Sequence, residues 1–186
     1  DNPDLRIIAI PENGNWLVPT TQLQAAENLA FQLAAIDPDG LDLYAQRLDA
    51  HEQTIARVEA LLQETLAPCQ PAQHAVISSD QLPPLLEWTG LTVAADYGRP
   101  EELTPKKLHD LLETAREQKV SLVIDNLQSG PDAGRQLAEE LEVPHITISN
   151  FPGGHPDTDT WAAALIDAVN RIVAALPPPA EKESSE

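Results

Sequence analysis

The chain has 186 residues, with 30 Asp and Glu against 11 Lys and Arg, for a formal net charge of −19 at neutral pH. That balance excludes a nucleic-acid binder, because phosphate contacts need basic patches and only four lysines are present. It argues equally against docking on an anionic membrane surface. The length fits one domain, or one domain with part of another, and a hydrophobic fraction of 42% suits a packed core.

A lone cysteine, Cys69, excludes an internal disulfide framework and any multi-cysteine metal site. No apolar run is long enough for a membrane-spanning helix. The sequence carries neither an initiator Met nor a signal-peptide pattern, so a processed product or an excised piece is expected.

Residues 5–10 form a β-branched run closed by Pro11 and the turn Glu12-Asn13-Gly14-Asn15, which predicts a strand and a loop. A first helix is expected after Pro19, capped by Thr20 or Thr21 and running to Ile36, where Asp37-Pro38-Asp39-Gly40 breaks it. Leu41, Tyr44, Leu48, His51, Ile55, Val58 and Leu62 then alternate steps of three and four, with no Gly or Pro from Leu41 to Ala67. Such a rod is about 40 Å long, so it should bridge two lobes or pair with another helix.

After Pro68 and Pro71, short apolar runs alternate with helical patterns. Strands are expected at His74–Ser79, Leu91–Tyr97, Val120–Asn126 and His145–Asn150. The intervening helices are expected at Gln81–Trp88, Pro105–Gln118 and Pro131–Leu141, with Trp161–Leu176 closing the series. Thr104 and Pro105 make an N-cap and first-turn pair. The alternation implies a four-stranded parallel sheet with helices on both faces, preceded by a long spine helix and a fragment of a second α/β lobe. The expected divisions are 1–40 for the end of an N-terminal lobe, 41–67 for the linking helix and 72–176 for the C-terminal α/β lobe. Residues 177–186, with Pro177-Pro178-Pro179, read as a disordered tail or linker.

In open parallel sheets ligands sit beyond the carboxyl ends of the strands. There the sequence places Ser78, Ser79 and Asp80, then Asp96 and Tyr97, Asp125 and Asn126, and Ser149 and Asn150. This oxygen-rich rim suits a hard or borderline cation or a polar small molecule. For each residue alone, a plain strand end, or a helix cap in the case of Asp80, is an equal alternative. The loop 151–160 brings His155 near Asp157 and Asp159, where capping of the last helix by Asp157, Thr158 or Asp159 competes with a metal site. His51 is expected to pack, His109 to be exposed, and His74 and His145 to begin strands at the opposite edge. No zinc-hydrolase pattern, dinucleotide fingerprint, phosphate loop or nucleophile elbow occurs. Catalysis is not expected.

The order of parts carries a resemblance. Trp16-Leu17-Val18-Pro19 leads a helix that breaks at Ile36-Asp37-Pro38. A long helix with the texture Tyr44 to Glu52 follows, then a four-strand α/β lobe, and a Gly-Gly loop with Asp159-Thr160-Trp161 opens the final helix. This resembles the zinc- or manganese-binding solute-binding proteins of ABC transporters, in which a rigid helix links two α/β lobes. The resemblance covers most of residues 5–176 and implies that a first lobe lies upstream of residue 1. It implies an extracytoplasmic location, a transporter permease as partner, and a cation held by three histidines and a carboxylate. Here Gly14 falls at one histidine position, Asp80 at another and Asn150 at the carboxylate, so the implied site is altered. Asp80 and Asn150 are the expected cleft residues, with Asp125, Ser79 and His155 behind them. Asp80 and His155 are the candidate ligands for zinc or manganese. Three functions are open: a solute-binding protein with an altered site, a non-transporting interaction domain on the same scaffold, and, weakest, a magnesium-dependent enzyme.

Overall fold

The structure, a computed structural model, describes residue 7, residues 9–10 and residues 14–178. Residues 5, 6 and 8 of the strand expected over 5–10, and the tail from residue 179, lie outside the described residues, while Ile7, Ala9 and Ile10 are not in a strand. The long helices come first: α1 spans Pro19–Ile36 and α2 spans Leu41–Leu66. Pro19 sits in the first turn of α1, with Val18 as N-cap and no side-chain cap. The expected Thr cap is therefore replaced by proline, whose fixed φ and missing N–H suit that first turn.

The lobe that follows alternates strictly. β1 (Ala75–Ser79), α3 (Pro83–Trp88), β2 (Thr92–Tyr97), α4 (Pro105–Glu117), β3 (Val120–Asn126), α5 (Arg135–Leu141), β4 (His145–Ile148) and α6 (Trp161–Ala175) occur in that order. All three strand pairings are parallel, and the sheet order is β2-β1-β3-β4. The central strands β1 and β3 are buried along nearly their whole length, as strands covered on both faces are. The edge strands β2 and β4 are less buried.

Strand alternation sorts the core into two layers. Val76, Leu122, Ile124 and Ile148 point to one face, where α2, α3 and α6 pack through Leu62, Leu66, Leu85, Leu86, Leu165 and Val169. Ile77, Tyr97 and Val123 point to the other face, under Leu111, Leu112 and Ala115 of α4 and Leu137 and Ala138 of α5. Each fully buried leucine contributes about 1.5–3 kcal/mol.

The apolar stripe of α2 is used unevenly. Its buried residues are Ile55, Val58, Leu62 and Leu66, all in the second half. Leu41 and Leu43 at the front are more than half exposed. The front of α2 packs on α1, whose own Leu29, Phe31 and Ile36 remain exposed. The helix that closes the chain starts at Trp161 under a Thr160 cap that accepts from the Ala163 N–H. The expected caps Asp157, Thr158 and Asp159 are not used: Thr158 is buried and bonds to His155 instead.

Candidate functional site

Three segments meet beyond the carboxyl edge of the sheet: the loop ahead of α1, the turn after β1 and the turn after β4. They enclose a cavity of about 290 Å³ lined by Gly14, Asn15, Trp16, Asp80, Gln81, Pro84, Asn150 and Phe151. Parallel strands end together on this side, so their exit loops converge there.

Asn15 lies at the centre and is 8% exposed. Its Oδ1 accepts from the Leu17 N–H at 2.9 Å, an Asx turn that sets up the entry to α1. Its Nδ2 donates to Asn150 Oδ1 at 2.7 Å and to the Gln81 main-chain oxygen at 3.3 Å. Asn150 is itself held, since its N–H donates to Gln128 Oε1 at 3.1 Å. The Gln128 Nε2 donates to Ser149 Oγ at 2.8 Å, and Ser149 Oγ donates to the Phe151 oxygen. Asp80 is exposed beside these amides and contributes a carboxylate to the wall. It does not cap α3, whose N-cap is Leu82. Gly14 has φ +117°, a backbone geometry that side-chain-bearing residues rarely adopt. Trp16 and Phe151 present partly exposed rings at the mouth.

Of the residues singled out from sequence, Asp80 and Asn150 therefore share one cavity, and the other three do not join them. Asp125 is fully buried. Counting by twos from Val123 places it on the face covered by α4 and α5. Tyr97 Oη donates to its Oδ1 at 2.6 Å, the Gly134 N–H donates to both oxygens, and the His145 Nε2 lies 2.6 Å from Oδ2. Burial first, and then the carboxylate of Asp125, push the Tyr97 phenol well above its ordinary range. Gly134 is required here, because a Cβ would sit 2.1 Å from the Tyr97 hydroxyl. Ser79 is also buried, pairs in register with Tyr97, and its Oγ has no partner among the described residues.

His155 faces a different, wider cavity at the β4 edge, together with His145, Arg135 and Arg171. The pairing of Asp80 with His155 as joint ligands is thus not what the fold brings together. The remaining histidines hold structural positions. His74 bridges Cys69 O and Ser121 Oγ at the start of β1, and His51 contacts Gln22 and the ring of Trp161. His109 is exposed beside Glu113. Among the described residues, no group of three His, Cys, Asp or Glu could hold a metal ion. The described donors of the cleft are one carboxylate, side-chain amides and main-chain oxygens, a set suited to hard cations and not to tight tetrahedral zinc.

Asn15, Gln81 and Gln128 were not singled out by sequence reasoning. The only local signal was the Asn-x-Leu turn ahead of Pro19.

The comparisons with known proteins agree with this architecture. The family model described as zinc-uptake complex component A, periplasmic (ZnuA) matches residues 13–175. No curated protein matches the sequence. Among solved structures, a Cd-bound periplasmic metal binding protein from Candidatus Liberibacter asiaticus superposes with a TM-score of 0.75 at 17% identity. The match covers 94% of this chain and 69% of that one. The Mn-bound form of that protein gives the same values. A crystal structure of ZnuA gives a TM-score of 0.71 at 21% identity, covering 95% of this chain and 64% of that one. The chain thus spans about two thirds of the length of these structures.

Proposed function

The chain belongs to the ZnuA family of periplasmic zinc-uptake components, and from that premise we propose that it is the later part of a solute-binding protein serving an ABC-type metal uptake system. The solute is a divalent cation, and the site has changed from imidazole to oxygen donors. The observation that carries this reading is the cleft itself. The loop ahead of α1 and the turns after β1 and β4 converge, with Asp80 in their wall and no imidazole among the described residues that line the cavity. An oxygen-donor cleft favours manganese over zinc, because the harder ion takes carboxylate and carbonyl ligands. The location is periplasmic and the partner is the transporter's permease. Catalysis forms no part of the proposal.

The exposed α1–α2 face belongs to the same reading. Cavities of about 160 and 260 Å³ run along it, lined largely by apolar side chains such as Leu29, Leu33, Phe31 and Leu48. We assign it to an N-terminal lobe of a longer product, since the superposed structures extend well beyond the length matched here. Contiguous apolar surface of this kind marks a covered face.

Calorimetric titration with zinc and manganese, on this chain and on a longer gene product, tests the proposal. Saturable binding, stronger for manganese and lost in Asp80→Ala, is the expected result. If neither ion binds the longer product, the uptake reading falls. The second reading then leads: a non-transporting interaction domain that keeps the scaffold. It is favoured by the lack of any three-residue ligand group among the described residues.

A further inference from the structure

The carboxamide of Asn15 touches all three walls of the cleft. Its own turn is fixed through Oδ1 and the Leu17 N–H, the exit of β1 through the Gln81 oxygen, and the exit of β4 through Asn150 Oδ1. The contact with Asn150 spans 135 residues of sequence. These bonds settle the orientation of the amide: the end facing Leu17 must accept, and the end facing Gln81 must donate. The partner is equally restrained, with the Asn150 N–H on Gln128 and the neighbouring Ser149 hydroxyl bridging Gln128 and Phe151. Buried amide bonds of this sort are costly to leave unmade.

We infer that Asn15 is the positioning residue of the cleft: its carboxamide ties the loop ahead of α1 to the ends of β1 and β4 and holds these three walls together. Asp80, whose Oδ1 accepts from Gln81 Nε2 at 3.2 Å, lies exposed beside this tie. The inference rests on the cleft being the ligand site, yet the two fail separately. Metal titration tests the site, and the following experiment tests the tie.

Backbone hydrogen exchange on the full chain reads the tie at the amides of residues 150 and 151, against those of β1 and β3 as an internal reference. Asn15→Asp keeps the acceptor for Leu17 but removes both donations. Asn150→Leu removes the acceptor, while Asn150→Asp retains one. Asn15→Asp and Asn150→Leu should speed exchange at residues 150 and 151 by about tenfold, the loss of roughly one buried hydrogen bond. Asn150→Asp should stay near the parent chain, and a chelator should change nothing in the parent. Equal behaviour of Asn150→Leu and Asn150→Asp would overturn the inference. So would a chelator that loosens the parent chain as much as Asn15→Asp does. Should Asn15→Asp lose protection throughout the sheet, the Asn150 pair decides, because that residue lies outside every helix and strand.

Discussion

The indole Nε1 of Trp161 donates to the main-chain oxygen of Trp16 at 3.0 Å, joining residues 145 positions apart. Trp161 is the first residue of α6 and is itself 9% exposed. The same ring meets that of His51 from α2 in a T-shaped contact, with centroids 6.1 Å apart. One side chain therefore sets the last helix, the spine helix and the loop ahead of α1 against one another. Trp161→Phe keeps most of the ring volume and strands the Trp16 carbonyl. We expect a loss of about 1–2 kcal/mol in urea unfolding, whereas Trp161→Ala should lose about 3–5 kcal/mol through the added cavity.

A second prediction concerns alkaline pH. The Tyr97 phenol is held above its ordinary pKa by burial and by Asp125. A group raised in the folded state supports stability fully below its unfolded pKa of about 10 and loses that support as pH climbs beyond it. Stability should therefore fall above about pH 10, by up to roughly 1.4 kcal/mol per pH unit from this residue. In Tyr97→Phe that fall should flatten. The same variant should lose about 1.5–3 kcal/mol at neutral pH, because a hydrogen bond to a buried carboxylate disappears. Urea melts across pH 7 to 11 provide the check.

Much of the architecture could be read from residue order alone. The three-and-four spacing of Leu41 to Leu62 defined α2 to within a residue of its end, and the Val120–Asn126 run matched β3. Those signals are local: period, caps and breakers act within one turn or one strand. Less legible was which part of a pattern meets a partner. His51 and Ile55 occupy the same stripe, yet the fully buried positions of α2 begin only at Ile55, where the stripe enters the core shared with α6 and the sheet. Asp125 looked like a rim residue because it ends a strand. Its side of the sheet follows from alternation, but the ring of donors around it depends on Tyr97, Gly134 and His145 from three other segments. Asn15 was the least legible, since its principal partner lies at Asn150.

Gly14 supplies a third prediction. There is room for a side chain, the nearest atom to a Cβ being Thr21 Oγ1 at 3.9 Å, but φ is +117°. Strain, not crowding, should decide the outcome. Gly14→Ala and Gly14→His should both lose about 1 kcal/mol in chemical denaturation. A similar loss for both would show that the backbone matters more than the side chain's size.

The exposed α1–α2 face yields a fourth. Phe31 is 71% exposed and Leu41 is 55% exposed. Phe31→Ser with Leu41→Ser should change unfolding free energy by no more than about 0.5 kcal/mol per site, while reducing binding of a hydrophobic dye and self-association at high concentration. A large loss of stability instead would mean that these side chains already support the isolated fold.

The uneven burial of α2 has one more consequence. At about 1.5 Å per residue, its 26 residues reach about 39 Å, yet its buried residues all lie in the second half. The front half and α1 lean on each other, joined by the short connector at Asp37-Pro38-Asp39-Gly40. A protease would meet two substrates in one chain: a helical hairpin that opens readily and is cut early at that connector, and a resistant fragment that begins partway along the same helix.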